Sequence, residues 1–241
     1  VDLRALRVAD LGDWEVAHLD MEASQAEIER RARLLPESPV KVFLGGDNAI
    51  TRPLVRALDL SGVGVLTLDA HHDVRTLDRG PTNGTPIRGL IEDGLPDGRV
   101  AQVGILSFAN SAEYRSYCDQ HGLSVFTMVE VDAWGAEETV SAALDALTRE
   151  VDRVYVDVDL DVLDRAFAPG CPGARPGGMT PRQLAAACFT AGLHPKVRGA
   201  DFVEVDASVD PSGLTVLNLA TAFLAFAAGV AQRLRRLDPG E

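Results

Sequence analysis

Short apolar runs rich in valine punctuate this chain and leave few folds open to it. Seven of them, Leu6–Ala9, Val40–Leu44, Val63–Leu68, Val100–Ile105, Leu123–Phe126, Val154–Val158 and Val197–Val203, are too brief for helices and too apolar to face water on one side. Between them lie helical patterns at Ala23–Leu35, Ile50–Leu58, Ser111–His121, Glu138–Val151, Pro181–Ala191 and Leu214–Leu237. Strands buried on both faces and joined through helices form a mostly parallel sheet with helices above and below it, a three-layer α/β/α arrangement. Thr180, Pro181 and Gln183 supply a capping box with proline in the first turn, which marks one helix start. No repeat or linker interrupts the pattern, so residues 1–241 are expected to form a single domain.

Parallel strands carry their ligand sites beyond their carboxyl ends, and polar clusters stand there in this chain: Gly45–Asn48, Asp69–Asp73, Asp159–Asp164 and Glu204–Asp206. In the stretch TLDAHHDVR, Asp69, His71 and Asp73 occupy every second position, as do Asp159 and Asp161 in the later cluster. Side chains at that spacing share one face of an extended chain. Converging carboxylates without a counter-charge raise one another's pKa and cost stability. Two divalent cations would neutralise the four aspartates. Oxygen-rich ligation with a single imidazole favours Mn²⁺ over Zn²⁺, and a pair of cations sharing a water lowers its pKa toward neutrality. Either cluster alone reads equally well as a capped turn or a solvated strand end; the two together make the metal reading stronger. His72 is expected to face away from the metals, and Asp157 and Asp164 are not counted as ligands.

Composition removes other classes. A formal net charge of −13 disfavours nucleic acid and anionic membrane as partners. Cys118, Cys171 and Cys188 form no CxxC pair and fit a reducing cytoplasm, with Cys188 inside the apolar helical run LAAACF. The first residues are charged and mixed, unlike a signal peptide, and the absence of an initiating Met fits a chain that begins inside a longer protein. Leu214–Ala231 approaches the length of a membrane span, but Asn218 and the threonine and glycine positions favour a helix buried between the sheet and a neighbouring subunit.

The sequences LGGDN, LDAHHD and VDLDVLDRAFAPG, in this order, resemble the arginase, or ureohydrolase, family, which carries GGDH, DAHxD and SxDxDxxDPxxxPG. The similarity runs from about Leu11 past Glu204, and only the family's usual N-terminal strand and Gly-rich loop lack a counterpart. The resemblance implies an arginase-like sandwich, a binuclear Mn²⁺ site, hydrolysis of a C–N bond in a guanidine or amidine, and a trimeric or hexameric homo-oligomer. It also implies metal ligation by Asn48, Asp69, His71, Asp73, Asp159 and Asp161, and binding of the substrate's amidinium group by Glu204.

Asn48 stands where the family has a histidine ligand, so one of the two Mn²⁺ positions is expected to be the weaker. Val158 and Arg165 replace the usual serine and proline. Asn83 stands where relatives have a proton-shuttling histidine, which leaves it to bind substrate and not to move protons. Arg75, two residues past DAHHD, resembles the formimidoylglutamase branch and can grip a substrate carboxylate with two parallel hydrogen bonds; a surface pairing with Asp78 carries equal weight. Arg88 is a second, weaker candidate for that role. The expected chemistry is hydrolysis of N-formimidoyl-L-glutamate to glutamate and formamide. Glu204 then holds the amidinium and Asp161 passes a proton to the leaving nitrogen. An agmatinase-like or guanidinobutyrase-like hydrolase and a non-catalytic family member with a weakened metal site are the alternatives.

Overall fold

A computed structural model describes residues 1–17, 19–210 and 212–237. Six strands, β1 (Lys41–Leu44), β2 (Val63–Leu68), β3 (Val100–Ile105), β4 (Ser124–Thr127), β5 (Arg153–Asp159) and β6 (Val197–Val203), form one sheet in the order β1-β6-β5-β2-β3-β4. Every pairing is parallel. The helices are α1 (Met21–Arg33), α2 (Thr51–Arg56), α3 (Pro86–Glu92), α4 (Ala112–Gln120), α5 (Met128–Trp134), α6 (Ala136–Leu147), α7 (Pro181–Leu193) and α8 (Leu214–Leu237).

The two sheet faces divide the helices between them. Residues of α1 to α4 pack with Val63, Val65, Val100 and Tyr155 on one face; those of α5 to α8 pack with Leu66, Leu68, Val154, Val156, Val158 and Phe202 on the other. Alternate residues of each strand therefore enter opposite cores, as the pleat requires. A polar layer runs along the α1–α4 face, where Thr67, Asp157 and Asp201 are all fully buried. From β2 the chain winds outward to β3 and β4, and from β5 it winds the other way to β6. The winding reverses between β2 and β5, which are direct neighbours with Leu68 beside Val158. Parallel α/β sheets leave a crevice at such a reversal, and here Asp69 and Asp159 stand at its lip.

Three expectations change. Leu6–Ala9 is not a strand: Leu3–Ala5 forms one 3₁₀ turn and the chain from Leu6 to Ala17 is irregular. Leu6, Val8 and Ala9, interrupted by Arg7, pair with no strand, and β1 remains a sheet edge. Helices α3 and α5 were not anticipated, because each has seven residues, too few to show a periodic stripe. Their starts were nevertheless encoded, α3 by Pro86 in its first turn and α5 by a Thr127–Glu130 capping box. Helix α6 begins at Ala136 and ends at Leu147, short of the expected Val151.

Helix α8 crosses α7 closely, since a Cβ at Gly192 or Gly229 would collide with backbone of the facing helix. It presents Phe226 to Phe202 at 6.0 Å between ring centroids. Its outer face exposes Val216, Leu217 and Leu224.

Candidate metal centre

The site is assembled where β2, β5 and β6 end. Asp69 follows β2, Asp159 is the last residue of β5, and Asp161 sits in the 3₁₀ turn Leu160–Val162 that continues it. The aspartates organise their own turns. The Asp69 carboxylate accepts the His71 amide at 2.6 Å, and that of Asp159 accepts the Asp161 amide at 2.7 Å. Asp161 in turn accepts the Ala70 amide at 3.1 Å, which locks the two loops together. Asn110 supports the same loop by accepting the His72 amide and donating to the Ala70 carbonyl. His72 faces away, as expected, with Nδ1 2.7 Å from Gln102 Oε1.

Two groups of side chains meet closely enough to hold cations. Asp69, His71 and Asp161 form one and Asp69, Asp73 and Asp159 the other, each with its candidate ligand atoms within 4.8 Å of one another. Asp69 belongs to both. Strand alternation, however, is not what gathers them: β2 stops at Leu68, and Asp73 has a left-handed backbone with φ 53°. A non-glycine residue in that region is strained, and such strain concentrates at functional sites. Glu204 repeats it with φ 63° immediately after β6.

Asn48 lies fully buried at the second group, its amide nitrogen donating to Asp73 Oδ2 at 2.7 Å and to Asp159 Oδ2 at 3.4 Å. Its backbone N–H donates to Glu204 Oε1 at 2.9 Å, and the Asn83 amide donates to the same oxygen at 3.2 Å. Arg75 is exposed and makes no ion pair, with Asp78 or any other residue, among the described residues. Its side chain lies against Gly84, where a Cβ would come within 2.7 Å of its Cδ and Nε. Arg88 is engaged elsewhere, with Nε 2.8 Å from Glu92 and its guanidinium 4.6 Å above the Tyr117 ring. Among residues not anticipated, Gly173 lies against Asp161, with room for a Cβ only 2.5 Å from Asp161 Oδ2. The three cysteines are free and buried, and burial raises each thiol, so none is an activated nucleophile.

The electrostatics are those of a crowded acidic site. Burial, reinforced by Asp161, raises the Asp69 carboxyl to about 7. Burial and neighbouring carboxylates likewise raise Asp73 and Asp159 well above the usual range. Burial would lower His71, but hydrogen bonding to Asp161 and Asp69 raises it to about 10. Burial would raise Asp161, but its contact with His71, 2.7 Å away, keeps it low. Asp69 Oδ2 is buried and has no hydrogen-bond partner among the described residues. An orphaned oxygen among clustered carboxylates and one imidazole fits divalent cations with a preference for oxygen ligands.

A pH dependence follows for protein stripped of metal. Asp69 protonates near 7 when folded but near its ordinary value of 3.8 when unfolded, and Asp73, Asp159 and His71 shift in the same direction. The folded state thus binds more protons, and the stability these groups contribute is lost as pH rises through their folded values. The thermal midpoint of stripped protein should fall between about pH 5 and about pH 8, and the stabilisation by added Mn²⁺ should grow over the same interval. Parallel melting curves with and without Mn²⁺ check both trends.

A parallel α/β sheet whose switch-point crevice carries two overlapping groups, each able to hold a metal ion, defines a candidate metal-binding α/β protein. The arginase family model matches residues 1–229. The chain is 42% identical over 236 residues to the formimidoylglutamase of Halalkalibacterium halodurans, covering 95% of this chain and 74% of that one. It is 37% identical over 225 residues to a guanidinopropionase of Pseudomonas aeruginosa, covering 90% and 69% respectively. Among solved structures, formimidoylglutamase from Bacillus subtilis superposes with a TM-score of 0.87 at 35% identity, over 92% of this chain and 71% of the other. This chain belongs to the arginase family.

Proposed function

We propose that this chain is a Mn²⁺-dependent hydrolase of linear amidines that converts N-formimidoyl-L-glutamate and water to L-glutamate and formamide. The observation that carries this reading is the placement of Glu204 beside the two carboxylate groups, held by Asn48 and Asn83 through Oε1. Its other oxygen, Oε2, is left to hold an amidinium. Burial raises the Glu204 carboxyl, so a cationic ligand that restores its charge gains more there than in open solvent. The similarity to formimidoylglutamases supports the substrate.

Asn48, Asp69, Asp73 and Asp159 would hold one Mn²⁺, and Asp69, His71 and Asp161 the other. Bound there, the ions supply Lewis acidity and bring a water's pKa toward neutrality. The chain's own groups do the rest. Glu204 fixes the amidine carbon over the carboxylates, and the strained backbone at Asp73 and Glu204 keeps both side chains aimed inward. Asp161, paired with His71, would carry a proton to the leaving nitrogen. Asn83 orients and does not titrate. Arg75 meets the substrate's remote carboxylate, while Arg88, occupied by Glu92 and Tyr117, supports the helix and not the substrate. Three buried free thiols accord with a reducing, cytoplasmic setting, and the exposed apolar face of α8 with a homo-oligomer.

A guanidino acid would satisfy Glu204 and Arg75 equally well, and the guanidinopropionase similarity favours it as the second reading. Incubation with Mn²⁺ and formimidoylglutamate, guanidinobutyrate, agmatine or arginine separates the two, because amidine hydrolysis yields formamide and guanidine hydrolysis yields urea. Faster urea release from guanidinobutyrate would replace the first reading by the second. Because an amide is a weaker ligand than imidazole, dialysed protein should retain nearer one than two Mn²⁺ per chain, and Asn48→His should restore the second; metal analysis of both proteins checks this.

A further inference from the structure

The Thr51 hydroxyl, fully buried at the start of α2, touches two acceptors with only one hydrogen to give. Its Oγ1 lies 2.8 Å from Asn48 Oδ1 and 2.8 Å from Asp201 Oδ2. Asp201, on β6, is also fully buried, and the same Oδ2 accepts the Tyr155 hydroxyl at 3.0 Å. Oδ2 is therefore the accepting end of Asp201, and Thr51 can serve it only by withdrawing its hydrogen from Asn48. Thr51 then has lone pairs alone to offer, and the Asn48 amide must present N–H to them. The two ends of an amide are alike in size, so a half-turn of the terminal torsion exchanges them with little movement of the surroundings.

We infer that Thr51, anchored by Asp201, is the positioning residue that turns the Asn48 amide oxygen toward the cation position formed by Asp69, Asp73 and Asp159. In the structure the amide nitrogen faces Asp73 and Asp159 while the oxygen faces Thr51. A cation there repels the N–H hydrogens and attracts the oxygen, and the turned amide remains satisfied because Thr51 accepts from it and donates to Asp201. Asn48 is thus an adjustable ligand with two hydrogen-bonded settings, and the Thr51 hydrogen moves between them. The inference rests on Asn48 being a metal ligand and deepens that part of the proposed function; it does not depend on which amidine or guanidine is hydrolysed.

The test is Mn²⁺ binding to the full chain, followed by calorimetric titration and by electron paramagnetic resonance of free Mn²⁺. Thr51→Val keeps the shape and removes the hydroxyl, so neither hydrogen bond can form. Loss of a residue that orients a ligand typically weakens metal affinity about 10- to 100-fold, and that loss is expected for the weaker of the two sites only. Thr51→Ser should restore wild-type affinity, and melting of both stripped variants shows whether they are folded. On an Asn48→Asp background, whose carboxylate has oxygen at both ends, Thr51→Val should weaken the site markedly less. Unchanged Mn²⁺ affinity in folded Thr51→Val would overturn the inference, as would an equal loss on the Asn48→Asp background. If the wild type hydrolyses none of the four substrates but Thr51→Val still loses one Mn²⁺, the inference stands and the substrate reading fails.

Discussion

Replacing Asp69 with asparagine is expected to disable both cation positions at once and to lower kcat/KM by at least about a thousandfold, since metal assistance is worth several kcal/mol and each 1.4 kcal/mol is tenfold. Asp69 is the residue shared by the two carboxylate groups, it is 1% exposed, and its Oδ2 has no partner among the described residues. No other side chain there can take over both contacts. The amide fills the same volume, so the fold has no cavity to absorb. Stripped of metal at about pH 8, the Asp69→Asn variant should melt no lower than stripped wild type, because it relieves a buried carboxyl whose charge the fold disfavours. Metal analysis and paired melting curves check the two halves. A variant that retains both ions would deny Asp69 its bridging position; one that melts far below stripped wild type would mark it as a structural residue.

Arg75→Ala is expected to raise KM for formimidoylglutamate sharply while leaving Mn²⁺ content unchanged. The guanidinium makes no ion pair among the described residues, and Cδ, Nε and Cζ lie against Gly84. Gly84 follows Asn83, whose amide holds Glu204. The arginine therefore borders the same loop that positions the amidinium-binding carboxylate. Removing one partner of a charge pair dehydrated on binding costs about 2–5 kcal/mol, or some thirtyfold to several thousandfold in binding. Arg75→Lys should recover only part of this, because an ammonium cannot form two parallel hydrogen bonds with a carboxylate. For agmatine, which has no carboxylate, the substitution should change KM little. Normal KM for formimidoylglutamate in the alanine variant would leave Arg75 a surface charge and remove the main support for a carboxylate-bearing substrate.

Much of the fold was legible because burial on both faces forces continuous apolar runs, and six of the seven proposed strands lie where expected. The exception, Leu6–Ala9, had suitable composition but no neighbouring strand, and pairing is not a local property. Helices α3 and α5 were too short for periodicity to reveal them. At the site, Asp69, His71, Asp73, Asp159 and Asp161 stood out because two such acidic clusters, each directly after an apolar strand, are harder to explain together as capped turns than either is alone. Yet the alternation that drew attention to them is not how they meet. The left-handed backbone at Asp73 and the 3₁₀ turn at Asp161 bring them together, held by amides from Ala70, His71 and Asp161.

What the sequence by itself determined was the inventory: which strands are buried, which residue types stand at their ends, and the family those spaced signatures resemble. Tertiary structure alone decided the partners. It set β2 beside β5 at the winding reversal, so that Asp69 could serve two groups, and it gave Arg88 to Glu92 and Tyr117 while leaving Arg75 free of any ion pair among the described residues. It also brought Thr51 to Asp201 across 150 positions and Asn48 to Glu204 across 156. Local sequence carries propensity and periodicity, which act over a few residues. Hydrogen bonds and charges act over a few ångströms of space, and only the closed fold brings distant positions within that range.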